Sequence, residues 1–415
     1  MTPSRPTSHP TTHSDGHQSA PPVPPGLDDG PIYLDYNATA PVDPRVAEAM
    51  LPHLMTHFGN PSSGHAYGEQ PRAALTRARA HVAALIGADP GRIVFTGSGS
   101  EADALAITGV VLAHPDPGAV EVITQPTEHP AVLETCRALH RRHGTQITHL
   151  PVDADGLIDP GDLAAAIGPR TALVSIMAAN NETGVLQPIA DLARIARAHG
   201  VPLHTDAAQA AGKIPLDMAG LGADLLSLAG HKLYAPTGIG ALFVRPGLRL
   251  EPLVSGGGQE HGLRAGTEPV ALAVALGAAA DLARADLAAD GADRLRTLRD
   301  RLYQALDEEL PGRVYLNGHP TRRLPGTLNL GITGLRGTDL LAATPGIAAS
   351  TGSACHTGTP QPSPVLQAMH HDTDRATSAL RLSIGRWTTP ADIDQTTQQI
   401  TASARTLLNR QPATP

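Results

Sequence analysis

From about residue 32 the chain alternates short apolar runs with longer stretches whose apolar positions recur every three to four residues. Ile93 to Thr96, Val120 to Thr124, Ile147 to Leu150, Leu173 to Met177 and Leu203 to Asp206 are near-continuous apolar runs, as expected of strands covered on both faces. The stretches around 100–112, 130–142 and 188–199 follow helical spacing instead. Upstream, Pro44 occupies a favourable first helical position and Val46, Met50 and Leu54 follow at helical intervals. Another helix is expected from Pro71 to Ile86, closed by Gly87. Such alternation predicts a mainly parallel sheet with helices on both faces, whose ligands sit beyond the carboxyl ends of the strands. Ser100, His129, Asn180 and Asp206 each fall just after such a run, so four polar residues are expected at one edge.

Further along, Leu225 to Val244 reads LLSLAGHKLYAPTGIGALFV. Two strand-like runs flank a glycine-containing turn that carries Lys232. A lysine so placed can be desolvated, which lowers its pKa and makes its amine a nucleophile towards aldehydes; the plain alternative is a solvated surface lysine. Asp206 ends the preceding strand, and Gln209 follows in the same turn. Enzymes that use pyridoxal phosphate need a lysine for the Schiff base and an acid that keeps the pyridine nitrogen protonated. Asp206 and Lys232 are such a pair. Thr96 to Glu101 (TGSGSE) stands between a strand and a helix, where backbone N–H groups and the Ser98 and Ser100 hydroxyls can converge on an anion.

Past Lys232, Ser255 to Pro269 is glycine-dense and can be read as a linker. Helices are expected from Val270 to Leu287 and from Asp293 to Leu310. The first thirty residues are rich in Pro, Ser, Thr and His and read as a disordered leader, in which His9, His13 and His17 are taken as solvated tail and not as a metal site. The expected organisation is therefore a leader (1–30), a large domain (46–289), a small α+β domain (31–45 with 290–409) and a short tail (410–415).

Composition narrows the function classes. A chain of 415 residues with net charge −8 and 2% aromatic residues has no basic, aromatic-interleaved face for nucleic acid. No apolar run reaches the roughly 18 residues of a membrane span, and the polar start does not read as a secretory signal. Two cysteines, Cys136 and Cys355, make no disulfide framework and no CxxC zinc site. The expected compartment is the cytoplasm, and no metal is expected. Cys136 falls on the apolar side of a helical pattern and reads as core. Cys355 lies among small residues and prolines, Ser350 to Pro364, which read as an exposed loop; a buried, inert thiol is the alternative.

Taken together, YLDYNATAPVDPRV from Tyr33, FGNPSSGHAYG from Phe58, TEHPAV from Thr127, NNETGV from Asn180, HTDAAQ from His204, GHKLYAPTGIGAL from Gly230, RAGTEPV from Arg264 and GSAC ending at Cys355 resemble the NifS-like cysteine desulfurases. These are class V aminotransferase-type enzymes, and the loop after Cys355 resembles the long form of their first group. The resemblance implies a fold-type I pyridoxal 5'-phosphate enzyme, with a mostly parallel seven-stranded sheet in the large domain and a smaller α+β carboxyl-terminal domain. It implies cofactor binding by Gly99, Ser100, His129, Asn180, Asp206, Gln209, His231 and Lys232, with Thr267 reaching the phosphate of a partner subunit in a homodimer. Asn180 and Arg381 would bind substrate. Read without it, His129 is a helix cap or surface residue, Asn180 and Gln209 form turns, and Arg381 is a surface arginine on a strand.

The implied reaction converts L-cysteine to L-alanine. Lys232 removes the α-proton, Asp206 keeps the ring protonated, His129 stacks on the ring and assists proton transfer, and Cys355 takes the sulfur as a persulfide for an acceptor protein. Selenocysteine lysis or another reaction of the same cofactor family is the alternative. The acceptor stays open among an iron–sulfur scaffold, a tRNA thiolation enzyme, a DNA modification system and a biosynthetic pathway, and the carboxyl-terminal extension that some relatives use for iron–sulfur assembly is short here. A serine commonly precedes GHK in the family. Here Ala229 takes its place, at a loss of about 1–2 kcal/mol for one hydrogen bond if unreplaced. Ala104 replaces a common asparagine without an evident catalytic consequence.

Overall fold

The computed structural model describes residues 21–351 and 362–410. Cys355 and His356, the histidines of the leader and residues 411–415 lie outside them. In chain order the first part runs β1 (Ile32–Tyr33), α1 (Pro44–Met55), α2 (Ala66–Leu85), β2 (Ile93–Thr96), α3 (Gly99–Leu112), β3 (Glu121–Thr124), α4 (Pro130–His143) and β4 (Gln146–His149). Next come α5 (Pro160–Ala166), β5 (Thr171–Ser175), α6 (Ile189–Ala198), β6 (Leu203–Asp206), α7 (Met218–Leu221), β7 (Leu225–Ala229) and β8 (Gly240–Val244). The long helices α8 (Val270–Ala288) and α9 (Gly291–Glu309) lead to β9 (Val314–Leu316), β10 (Thr327–Ile332), α10 (Gly337–Ala342) and β11 (Ile347–Ala348). The chain then passes through α11 (Pro364–Ala368), α12 (Thr373–Ser378) and β12 (Leu380–Ser383) to α13 (Pro390–Arg410).

Seven strands form one sheet in the order β2-β8-β7-β6-β5-β3-β4. Only β8 runs against the others, being antiparallel to both its neighbours, so the carboxyl ends of the remaining strands share one edge. Alternation sorts each strand between two cores. Ile93, Phe95, Leu226, Leu228, Ala241 and Phe243 face α1, α2, α6 and α8. Val94, Leu225, Leu242 and Val244 face α3 and α4 instead. A strand covered on both sides has no use for polar positions, which is why these runs read as continuously apolar. The buried Cys136 belongs to the α3–α4 side. A separate core joins Leu34 to apolar residues of α9, β10, β12 and α13, over a three-stranded antiparallel sheet ordered β12-β10-β9.

Several expectations change. Helix α2 begins at Ala66, ahead of Pro71, which sits in its second turn; a proline there forgoes a single intrahelical bond. The disordered leader does not extend through residues 21–30, since Pro24 is buried and Trp387 Nε1 donates to Pro22 O at 3.0 Å. Of the two readings of the glycine-dense stretch after Ser255, a linker or the loop that the resemblance implies around Thr267, the linker is excluded. Buried Glu260 accepts from Arg79 Nη1 and Nη2, each at 2.7 Å, and from the Phe95 amide at 2.8 Å, which pins the loop to the outer sheet strand β2.

Candidate active site

The shared edge of the sheet opens into a cavity of 480 Å³ lined by Ser98, Gly99, Ser100, His129, Asp206, Gln209, His231, Lys232 and Arg381, together with Asn37, Ala38, Asp103 and Asn181. Strand β2 stops at Thr96, and Ser98 caps α3 by accepting from the Glu101 amide at 3.0 Å. The Ser98 hydroxyl is thus committed to the helix, leaving the first amides of α3 to face the cavity as an anion site. A side chain at Gly99 would bring its Cβ to 2.9 Å from Ala229 Cβ on the adjoining strand. Glycine lets the helix start sit against β7.

Lys232 ends the tight turn Gly230–Lys232 that follows β7. A Cβ on Gly230 would lie 2.9 Å from Ile239 O, so the turn closes only around glycine. The Lys232 amine donates to Asn37 O at 2.5 Å and Ala38 O at 2.6 Å. Burial, with Arg381 adding to it, pushes that amine down to about 8, and Asp206 and Asp35 pull the other way. Close to pH 7 such an amine has a usable unprotonated fraction. His231 beside it donates to or accepts from Thr39 Oγ1 at 3.2 Å, and burial and Lys232 push its ring down to about 4.

Asp206 ends β6 and accepts from the Ala208 amide at 2.8 Å. Its carboxyl is raised by burial, against the opposing pull of that amide, His129 and Lys232. A cationic group brought into the cavity would favour its ionised form further. Beneath it His204 is locked between Ser175 Oγ and Ser227 Oγ, each at 2.9 Å, and burial pushes its ring to about 3. Asp103 Oδ1 is buried without a hydrogen-bond partner among the described residues. His129 caps α4, its Nδ1 accepting from the Ala131 amide at 3.1 Å, and its ring faces the cavity. The residue thus caps the helix and lines the cavity at once.

Arg381, on β12 of the small sheet, reaches in from the opposite wall. Its Nη2 donates to Asp35 at 2.7 Å and its Nη1 to Asn181 O at 3.0 Å, while Nε is buried and unpartnered among the described residues. A buried guanidinium with an unused donor suits a carboxylate. Gln209 donates from Nε2 to Asn37 O at 2.9 Å.

Two expected site residues stand apart from this cavity. Asn180 spends its side chain on its own turn: Oδ1 accepts from the Glu182 and Thr183 amides, both at 2.9 Å, and Nδ2 donates to Thr127 O at 3.0 Å. Turn formation describes it, and the neighbouring Asn181 lines the wall in its stead. Thr267 is exposed and outside the cavity of its own chain. Its loop is tied to the anion site through Arg264, whose Nε donates to Glu101 at 3.0 Å. Cys355 lies outside the described residues. Asn37, Asp103, Asn181 and Asp35 went unnoticed as single residues in the sequence, although Asp35 and Asn37 lie in one of the stretches that carry the family resemblance. The set as a whole fits a planar aldehyde that bears a ring nitrogen and an anionic group: the Lys232 amine of lowered basicity, the buried Asp206 carboxyl at the end of β6, and a helix start.

The sequence profile of the aminotransferase class-V family matches residues 32–396. The chain is similar to the cysteine desulfurase of Homo sapiens, 46% identical over 385 residues that cover 92% of this chain and 83% of that protein. Among solved structures it is similar to a NifS-like protein, with a TM-score of 0.84 and 33% identity over 91% of this chain and 100% of that one. It also resembles the structure of SspA in complex with cysteine, with a TM-score of 0.76 and 35% identity over 86% and 100% of the two chains.

Proposed function

The chain belongs to the aminotransferase class-V family, and from that membership and the cavity's chemistry we propose that it is a pyridoxal-phosphate-dependent cysteine desulfurase acting on L-cysteine. The observation that carries this reading is the convergence of Lys232, Asp206, His129 and Arg381 on one cavity, from the seven-stranded side and from the three-stranded sheet.

Pyridoxal phosphate, when bound, supplies an electron-accepting ring that makes the α-proton of an amino acid labile. Lys232 would hold it through its amine and, once the substrate's amino group has displaced that amine, would take the proton from Cα. Asp206 would keep the ring nitrogen protonated, and His129, Gln209 and His231 would hold the ring. The Gly99 and Ser100 amides at the start of α3 would take the phosphate, joined by the partner subunit's Thr267 in a homodimer. Arg381 receives the substrate carboxylate, and the backbone beside it is fixed by the Asn180 turn. Cys355 attacks the substrate sulfur as a thiolate. The carbon–sulfur bond breaks, the carbon gains a proton, and sulfur ends on the Cys355 Sγ, so L-cysteine and a thiol become L-alanine and a persulfide without an outside oxidant.

The same reading takes residues 46–289 as the large domain and residues 31–45 with 290–409 as the small one, supported by the separate core that joins Leu34 to α9 and α13. It places the enzyme in the cytoplasm, handing its sulfur to an acceptor protein such as an iron–sulfur scaffold. No helix among the described residues is long and apolar enough to cross a membrane. The test is alanine and persulfide formation from L-cysteine, wild type against Cys355→Ser, with reductant present. The reading stands if the wild type makes both and the serine variant loses the persulfide and nearly all turnover. It fails if both proteins bind cofactor and neither moves sulfur; selenide release from selenocysteine would then define the reaction.

A further inference from the structure

A second lysine lies behind the first. Lys213 follows β6 by one turn and does not line the cavity that holds Lys232, Asp206 and Gln209; it borders a separate cavity of 360 Å³ on the far side of Lys232. Its amine has no carboxylate partner among the described residues. It donates instead to two amide oxygens, Gln209 Oε1 at 2.7 Å and Asn37 Oδ1 at 3.0 Å. The charged groups that act on it are both cations, Lys232 and Arg381, and burial pushes its amine down to about 7.

Below about 7 this amine is an ammonium group, which only donates, whereas an amide can present either its oxygen or its NH₂. Lys213 therefore decides which way both amides point. With Oε1 turned to Lys213, Gln209 directs its NH₂ towards the site, where it meets Asn37 O at 2.9 Å, the same oxygen that accepts from Lys232 Nζ at 2.5 Å. With Oδ1 turned to Lys213, Asn37 donates from Nδ2 to Asn181 O at 3.2 Å and Thr327 Oγ1 at 2.9 Å. Asn181 O is also the acceptor of Arg381 Nη1 at 3.0 Å. Two hydrogen-bond chains thus leave one amine: one through Gln209 and Asn37 O to Lys232, the other through Asn37 and Asn181 to Arg381. Flipping either amide would set NH₂ against NH₃⁺ and turn its donor away from the site.

We propose that Lys213 is a positioning residue of this active site, fixing the Gln209 and Asn37 amides so that Gln209 presents a donor to the cofactor and Arg381 and Lys232 are held at their working positions. This deepens the reading of the cavity as a pyridoxal phosphate site and rests on it. Lys213 touches neither cofactor nor substrate in this account and acts through its two amides.

The test follows the visible absorption band of the cofactor-loaded enzyme as a function of pH in wild type, Lys213→Met, Lys213→Arg, Gln209→Ala and the Lys213→Met/Gln209→Ala double variant. Losing the donor oriented through Gln209 favours the protonated chromophore, and losing the cation adds to it below about 7, so Lys213→Met should raise the pH midpoint of the band by at least about half a unit. Lys213→Arg, which keeps charge and donors, should restore most of it. In the Gln209→Ala background the Lys213→Met change should add much less than it does alone, because the two act as a unit. An unchanged midpoint in Lys213→Met, or full additivity in the double variant, overturns the proposal. If Lys213→Met fails to fold, Lys213→Gln serves: it keeps two N–H donors on a shorter, uncharged side chain, so an intermediate shift supports the proposal and none refutes it. A wild type that develops no visible band with pyridoxal phosphate sinks the cofactor reading itself, an outcome distinct from a band that Lys213 does not influence.

Discussion

Replacing Glu128 by glutamine isolates one buried carboxyl group beneath the site. The Met177 amide at 2.6 Å and Gln125 Nε2 at 2.8 Å both donate to its Oε1, while Oε2 is buried with no partner among the described residues. Two donors on one oxygen and none on the other is the arrangement of a neutral acid whose proton sits on Oε2. Burial pushes the carboxyl from 4.5 up to about 8, eased by Met177 and Gln125 and reinforced by Asp206. Between those values the native chain holds a proton that the unfolded chain has released. Stability contributed by the group is therefore intact below pH 4.5, falls as pH rises through the window, and levels off above about 8. The window spans about 3.5 pH units. At about 1.4 kcal/mol per unit this bounds the loss at about 5 kcal/mol. Glutamine keeps the shape and the accepting oxygen and cannot ionise. Urea unfolding at one fixed cofactor concentration should find the two proteins within about 1 kcal/mol of each other near pH 5 and the variant about 2–3 kcal/mol more stable near pH 7. Parallel stability–pH curves for wild type and variant would refute the neutral-acid assignment.

Arg381→Lys keeps the charge and loses the planar fork; with one charge-assisted bond worth about 1.5–3 kcal/mol, kcat/KM for L-cysteine should fall about 10- to 100-fold, chiefly through KM. Steady-state alanine formation measures this, and a change under about twofold counts against a carboxylate role for Arg381. Asp43 is fully buried and accepts from Arg45 and from Arg386 Nη1 at 2.7 Å, which hold its carboxyl below the usual range despite burial. Asp43→Ala leaves Arg386 Nη1 without its acceptor while Nε and Nη2 keep Asp286 at 2.9 and 2.7 Å, so it should cost about 1–3 kcal/mol in denaturant unfolding, with the cofactor spectrum unchanged. In the apoprotein, acylation of Lys232 followed by peptide mass spectrometry should be half-maximal at about 8, not at the ordinary 10.5. A midpoint near the ordinary lysine value would show that the amine is solvated.

Much of the large sheet was readable because its strands are covered twice. Ile93–Thr96 and Leu203–Asp206 were placed to the residue, and the other three strands expected before Lys232 within one or two positions, since a strand with no solvent face leaves an unbroken apolar run. Helix α5 was not anticipated, although Asp159 before Pro160 is a capping signal and its side chain accepts from the Gly161 amide at 2.8 Å. Seven residues carry too few apolar positions to show a period. The start of α2 was missed for a different reason: Pro71 was taken as a first-turn residue, whereas the helix already runs one turn ahead of it.

The site divides the same way, by whether a residue's role is local or tertiary. Lys232, Asp206 and His129 stand at strand or helix ends, so their positions follow from the chain around them. The Asn180 side chain is also local, and its turn bonds outcompete the cavity for it. Asn37 is the contrary case. Its partners are Thr327, Ser383, Asn181, Gln209, Lys213 and Lys232, all at least 144 positions away in the sequence. No spacing rule connects them, because they meet only once β12 and the segment after β1 close over the edge of the large sheet, where Asp35 pairs with Ser383. The same closure carries Arg381 from one sheet to the mouth of the other. A lysine amine held at about 8 therefore depends on the small sheet as much as on its own turn: Arg381 supplies part of the depression, and Asn37 and Ala38 supply the oxygens that hold the nitrogen in place.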